Sequence, residues 1–166
     1  YANACGLSVA KPTMIEMQNA YDQAIMDAWN MVGVPPVVLK QLIRYESQFW
    51  PGWFDGVHYG LGQLTYYGAH TALTWRATLR QKVCTITGSC SGPVNNSEVY
   101  TLLSLMDATC PNCENKIDMG KAQNSIYYLA EALMAHCYQS VQIVHNASDA
   151  SASTVVDYAT IWRLTL

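Results

Sequence analysis

One apolar stripe limits what this chain can fold into. Ile126, Leu129, Ala130, Leu133, Cys137, Val141 and Val144 recur every three or four residues, the spacing of one helix face. The pattern predicts a long helix over about 119–145, whose stripe must be covered by other elements. The rest of the chain supplies helices to cover it. Thr13 and Glu16 form a T-x-x-E capping box, predicting a helix over about 14–32 that Gly33 ends. Pro35 and Pro36 suit the first turn of a second helix reaching Ser47. A helix restarts near Tyr67, and a short one fits 98–108 with Ser97 as its cap. A last one is capped by Thr154 and carries Val155, Tyr158, Ala159, Trp162 and Leu166 on one face. Only "KVCTIT" has strand character. The prediction is an all-α protein with a single domain over 1–166. The last residues, "VVDYATIWRLTL", end without a cap, glycine or proline, so the natural chain is expected to continue past Leu166.

Composition narrows the function classes. The chain is 51% apolar and 13% charged, against about 25% charged in an average domain, so a disordered chain is excluded. The net charge is −3 and no Lys/Arg cluster occurs, which argues against a nucleic-acid partner. No apolar run approaches the roughly 18 residues of a membrane span. Six cysteines, at 5, 84, 90, 110, 113 and 137, favour disulfides and an oxidising, secreted or cell-envelope location. The spacing allows fifteen pairings, and sequence does not choose among them. Zinc on Cys84, Cys90, Cys110 and Cys113 ranks second, because it leaves Cys5 and Cys137 unused. Cys90 also falls in a G-x-C-x-G echo of a nucleophile elbow, and Cys110 and Cys113 form C-x-x-C. Neither has the strand–helix context its chemistry needs, so both are read as structural. Residues 75–115, with four of the cysteines, read as a disulfide-rich loop insert. No metal and no cofactor is expected, and the chain is expected to be monomeric.

The stretch "LIRYESQFWPGWFDGVHYGLGQLT" holds the chemistry. Leu39, Leu42 and Ile43 define a helix face, and Glu46 is the next member of that face. The carboxylate thus points where core residues point, at a helix C-terminus and ahead of Phe49, Trp50, Trp53 and Phe54. Desolvation and the helix dipole both disfavour its charged form. A sheltered carboxyl that holds its proton is suited to general acid catalysis. Against this stands an outward-tipped Glu46 paired with a cation such as Arg44. The 5 Trp and 11 Tyr supply flat amphipathic rings of the kind that stack on sugars.

"GVPPVVLKQLIRYESQFWP" followed by "YGLGQLT" resembles the lysozyme-like lytic transglycosylase family. The pattern is a GVP helix start, Glu-Ser, an aromatic, a proline, a variable loop, then Gly-Leu-x-Gln-Leu. Gly33-Val34-Pro35, Glu46-Ser47, Phe49, Pro51, Gly60-Leu61 and Gln63-Leu64 fill it. A looser likeness covers the later helix, at Tyr128-Leu129. The resemblance implies Glu46 as the sole catalytic acid and base. It implies that Ser47 orients Glu46, Gln63 bonds the glycan, the Gly60-Leu61 backbone lines the cleft, and Tyr128 contributes to substrate binding. The implied substrate is the peptidoglycan glycan strand, cut between N-acetylmuramic acid and N-acetylglucosamine with closure of a 1,6-anhydro ring. The sequence departs from the pattern at Gly62, where methionine is usual, and at Tyr66, where proline is common. It also lacks the family's Tyr-Asn segment after the last helix.

Two alternatives follow. Asp55, nine residues after Glu46, would position a water in a muramidase of lysozyme type if it faced the cleft. A turn aspartate ahead of Gly56 is its simpler role. The second alternative is a glycan-binding domain without catalysis. His58 lies in the same loop as a substrate contact or a plain loop residue, and His136 lies at the margin of the long stripe.

Overall fold

A computed structural model describes residues 4–52, 55–88 and 90–147. The fold is all-α. The helices are α1 Ala4–Asn19, α2 Asp22–Val32, α3 Pro36–Glu46, α4 Tyr66–Trp75, α5 Ala77–Thr87, α6 Asn96–Met106 and α7 Met119–Ala147. α7 is the central element. It packs against α2, α4, α6 and α3, while α6 also lies on α4 and α5. The predicted stripe faces inward as its spacing requires: Ile126, Leu129, Ala130 and Cys137 are all buried.

Local chemistry sets most boundaries. Gly33 ends α2 at φ +90°, donating its N–H to the Trp29 carbonyl, the left-handed cap that glycine adopts without a Cβ clash. Pro36 opens α3, where a missing N–H costs nothing. Thr65 caps α4 by accepting from the Gly68 N–H at 3.2 Å.

Three expectations are corrected. The first helix is two helices, and α1 begins well before Thr13, so the T-x-x-E pair lies within it. The break falls before Tyr21, which is fully buried and stacks on Phe49 with centroids 6.4 Å apart. The Ala20 carbonyl at the break accepts from Gln123 Nε2 of α7 at 3.0 Å, which replaces the helical bond lost there. "KVCTIT" is the C-terminal half of α5, not a strand. Leu79 and Val83, four residues apart, are both fully buried, and that packing overrides β-branched propensity. The cap of α6 is Asn95 rather than Ser97: its Oδ1 accepts from the Glu98 N–H at 3.1 Å. Its Nδ2 returns a bond to Glu98 Oε1 at 2.8 Å, a reciprocal arrangement like a capping box.

Within 75–115 the cysteines pair with sequence neighbours, Cys84 with Cys90 and Cys110 with Cys113. The region carries α5 and α6 as well as loops, and Val99, Leu102, Leu103 and Met106 of α6 are core residues. The predicted helix over 154–166 lies outside the described residues. Among the described residues no helix is long and apolar enough to cross a membrane.

Candidate functional site

Glu46 ends α3 on the face of Leu39, Leu42 and Ile43. The helix stops because Ser47 leaves helical geometry as the C-cap. Ser47 is buried, and its N–H and its Oγ each donate to the Ile43 carbonyl at 3.1 Å. Gln48 and Phe49 follow at φ 52° and 65°, a rare pair of left-handed non-glycine residues. They turn the chain so that Phe49 drops into the core, while Trp50 remains exposed. Trp53 and Phe54 lie outside the described residues. The expected shelter over Glu46 is not found: the side chain is exposed. The physical reason is its place at the last turn of α3, where the stripe runs off the packed core and Phe49 turns away toward Tyr21. No ion pair with Arg44 forms either, since the described salt bridges lie elsewhere.

Asp55 is committed locally. Its Oδ1 accepts from the N–H groups of Val57 and His58, each at 2.9 Å. Its Oδ2 lies 2.7 Å from His58 Nδ1. The His58 side-chain bond, followed by those backbone donors, holds the Asp55 carboxyl well below the usual carboxylate range.

Next, Tyr59 and Leu64 exchange both backbone bonds at 3.0 Å, closing a tight turn over residues 60–63. Gly60 has φ +69°, and a Cβ there would stand 2.6 Å from the Met106 carbonyl oxygen. Only glycine satisfies both conditions. The Leu61 side chain is buried and anchors the turn in the core. Gln63 is held at φ 50°, a conformation costly for a side-chain-bearing residue. Its N–H and Nε2 donate to the Gly60 carbonyl at 3.2 and 2.9 Å. Its amide oxygen therefore remains as an acceptor for a ligand.

Gln63 lines a groove of about 360 Å³ together with Leu42, Gly62, Tyr67, Thr71 and His136. Leu42 lies one helical turn before Glu46 on the same face of α3, while Glu46 itself is not among the residues that line this groove. His136 is exposed at the margin of α7, as predicted. Tyr128 does not line the groove. It packs against the core and meets Tyr127 edge-on at 5.4 Å. The turn thus brings Gln63 to a groove that Leu42 of α3 also lines, while the Leu61 side chain and Tyr128 serve packing and Gly60 permits the turn.

The departure at Gly62 has a structural cause. A Cβ at residue 62 would stand 2.2 Å from Leu129 Cδ1. Leu129 fills the space that a larger residue in the turn would need.

Sequence reasoning missed two buried carboxylates. Glu98 is 0% exposed and accepts from Arg80 Nε and Nη2 at 2.7 and 3.1 Å. The Arg80 bonds hold its carboxyl below the usual range. Arg80 also donates to the Gly92 carbonyl at 2.9 Å, tying the disulfide loop to α5. Glu131 is buried on α7, bonded by Arg76 Nε at 2.5 Å and by the Tyr127 hydroxyl at 2.8 Å. The N-x-x-E spacing of Asn95 and Glu98 was a legible signal for the first. Glu131 had none, because its arginine lies 55 positions away. Both are structural clamps, since each carboxylate is consumed by its arginine.

Zinc on the four cysteines is corrected as well. Among the described residues the group of possible metal ligands is Cys84, Cys90 and Glu98, without Cys110 or Cys113. Its sulfurs are bonded to each other and its carboxylate is held by Arg80.

Comparison of the chain with protein-family models, with characterised proteins and with solved structures finds no match.

Proposed function

We propose that this chain cleaves peptidoglycan glycan strands by lytic transglycosylation, with Glu46 as the single acid and base. The observation that supports the reading is that Gln63 of the Gly-Leu-x-Gln-Leu turn and Leu42 of the helix ending in Glu46 line one groove. Glu46 follows Leu42 by one turn. Glu46 protonates the glycosidic oxygen as the C1–O bond breaks. The resulting carboxylate takes the proton of the muramic C6 hydroxyl as O6 bonds to C1, closing the anhydro ring. No water enters the product, and the proton count on Glu46 is restored.

The exposed carboxyl fits this scheme if the glycan itself excludes water on binding, which strengthens every interaction inside the closed site. The engagement of Asp55 by His58 and two backbone N–H groups weighs against Asp55 as the water-positioning residue of a muramidase. The two disulfides support an extracytoplasmic site of action.

Mass spectrometry of products released from purified sacculi tests the proposal. Anhydro-muramyl ends are expected, and Glu46→Gln is expected to release none while keeping the wild-type circular dichroism. Reducing ends would replace transglycosylation by hydrolysis. Glycan binding by the folded chain with no release would leave a binding domain in its place.

A further inference from the structure

The groove does not end at Gln63. Tyr67, on its rim, is 80% exposed. The Tyr66 ring meets Tyr67 edge-on at 5.6 Å and lies 5.7 Å from Tyr100 of α6, tilted by 57°, so the rings form a stepped row rather than one flat face. Tyr100 is itself 57% exposed. The Tyr66 hydroxyl donates to Asn96 Oδ1 at 2.6 Å, which fixes the middle ring and ties the first turn of α4 to the first turn of α6. The result is a strip of three rings leading from the groove across two helix starts.

Exposed aromatic area gathered in one strip is what binding surfaces show. Tyrosine suits the purpose because it offers a large, flat, amphipathic face at low conformational cost. The strip is uncharged. The cation–ring contacts of the described residues lie at Tyr127 and Tyr138, not here. A nucleic acid would need cations for its phosphates, and an acidic peptide would need them for its carboxylates. A neutral sugar ring needs only an apolar face for its C–H groups and hydroxyl or amide partners at the edge. The exposed rings of Tyr67 and Tyr100 provide the apolar faces. The spacing of the ring centroids is on the scale of one pyranose residue.

We propose that Tyr67, Tyr66 and Tyr100 form an accessory platform on which a glycan strand lies after it leaves the groove, so that long strands are preferred over short ones. The inference rests on the glycan reading of the groove. Tyr100 is its test residue because it lies outside the groove.

The experiment compares wild type, Tyr100→Ala and Tyr100→Phe on purified long glycan strands and on a muramyl tetrasaccharide. Tyr100→Ala is expected to raise the half-saturating concentration of long strands about three- to tenfold, the weight of one aromatic contact. Cleavage of the tetrasaccharide should be unchanged, and Tyr100→Phe should behave as wild type on both. Equal half-saturation by long strands in wild type and Tyr100→Ala would overturn the platform while leaving the cleft intact. A wild type inert toward both substrates would overturn the cleft, and the platform with it. A loss on the tetrasaccharide equal to that on long strands would show that Tyr100 acts through the fold, which also overturns the platform.

Discussion

Replacing Gly62 by alanine tests how the turn that carries Gln63 is seated. A methyl group there would lie 2.2 Å from Leu129 Cδ1 and 2.8 Å from Cδ2, well inside van der Waals contact. Leu129 is 3% exposed, and moving its methyl groups aside means leaving the rotamer that packs it in the core. Overpacking of this kind costs about 1–3 kcal/mol. Alanine also stiffens the unfolded chain, which returns about 0.4–1 kcal/mol. The net loss is about 1–2 kcal/mol, a drop in Tm of about 2–8 °C for a chain of this size. Leu129→Ala alone should cost about 2–5 kcal/mol through the cavity it leaves. In the double variant the new methyl enters the vacated space. Its loss should therefore fall short of the sum of the singles by at least about 1 kcal/mol. Urea denaturation of the four proteins measures the cycle. A Gly62→Ala variant as stable as wild type, or losses that simply add, would refute the account of residues 62 and 129 as one packing unit.

Other outcomes follow from the same contacts. Glu98→Gln should lower stability, because it removes the charge that Arg80 faces in a buried site. The depressed carboxyl of Glu98 stabilises the fold above the unfolded glutamate value of about 4.3, and this is lost as pH falls through the folded value. The variant should therefore show a shallower acid limb in a plot of Tm against pH; an unchanged limb would contradict the role assigned to Glu98. Gln63→Ala should reduce glycan cleavage far more than it changes Tm, since the Gln63 side chain bonds only its own turn. The opposite split would make Gln63 structural. Dithiothreitol should cost on the order of 2 kcal/mol for each short loop released, and hydrogen exchange should quicken first over 84–95 and 108–117. A chelator should change nothing, and unfolding by chelation alone would restore the zinc reading.

The parts of the fold that were legible in the sequence are those set by local chemistry. Gly33 has to end a helix after a run of helix formers, and Pro36 has to begin one. The α7 stripe declared its period over several turns. What failed depended on partners distant in sequence. The break between α1 and α2 exists because Tyr21 has to reach Phe49 and because Gln123 supplies a donor to Ala20. Neither contact has a local signature. "KVCTIT" resembled a strand until its valine proved to be buried at helical spacing from Leu79. At the candidate site, the order of Glu46, Ser47 and Gln63 was readable as a pattern, but Tyr128 was not separable from a groove residue. An apolar side chain lining a groove and one filling a core obey the same periodicity.

The exposure of Glu46 changes how its role has to be argued. Periodicity placed it on a buried face, and burial was to make it an acid. The buried carboxylates among the described residues, Glu98 and Glu131, are instead paired with arginines. That outcome is general, because an unpaired charge in the interior is too costly to keep. Burial in the free protein is therefore a poor marker of the group that handles a proton here. A catalytic carboxyl must meet its substrate, so it has to lie open or in a cleft before binding and lose water only when the substrate arrives. Glu46, exposed at the end of α3, meets the first condition. The second belongs to the complex. Solvent accessibility of the Glu46 carboxyl, followed by carbodiimide labelling with and without a bound muramyl tetrasaccharide, measures it directly. Protection of Glu46 by the saccharide is expected, with Glu16 on α1 labelled equally in both states. Equal labelling of Glu46 with saccharide bound would show that the carboxyl stays in water throughout, and such a group has no environment in which to hold a proton for the glycosidic oxygen.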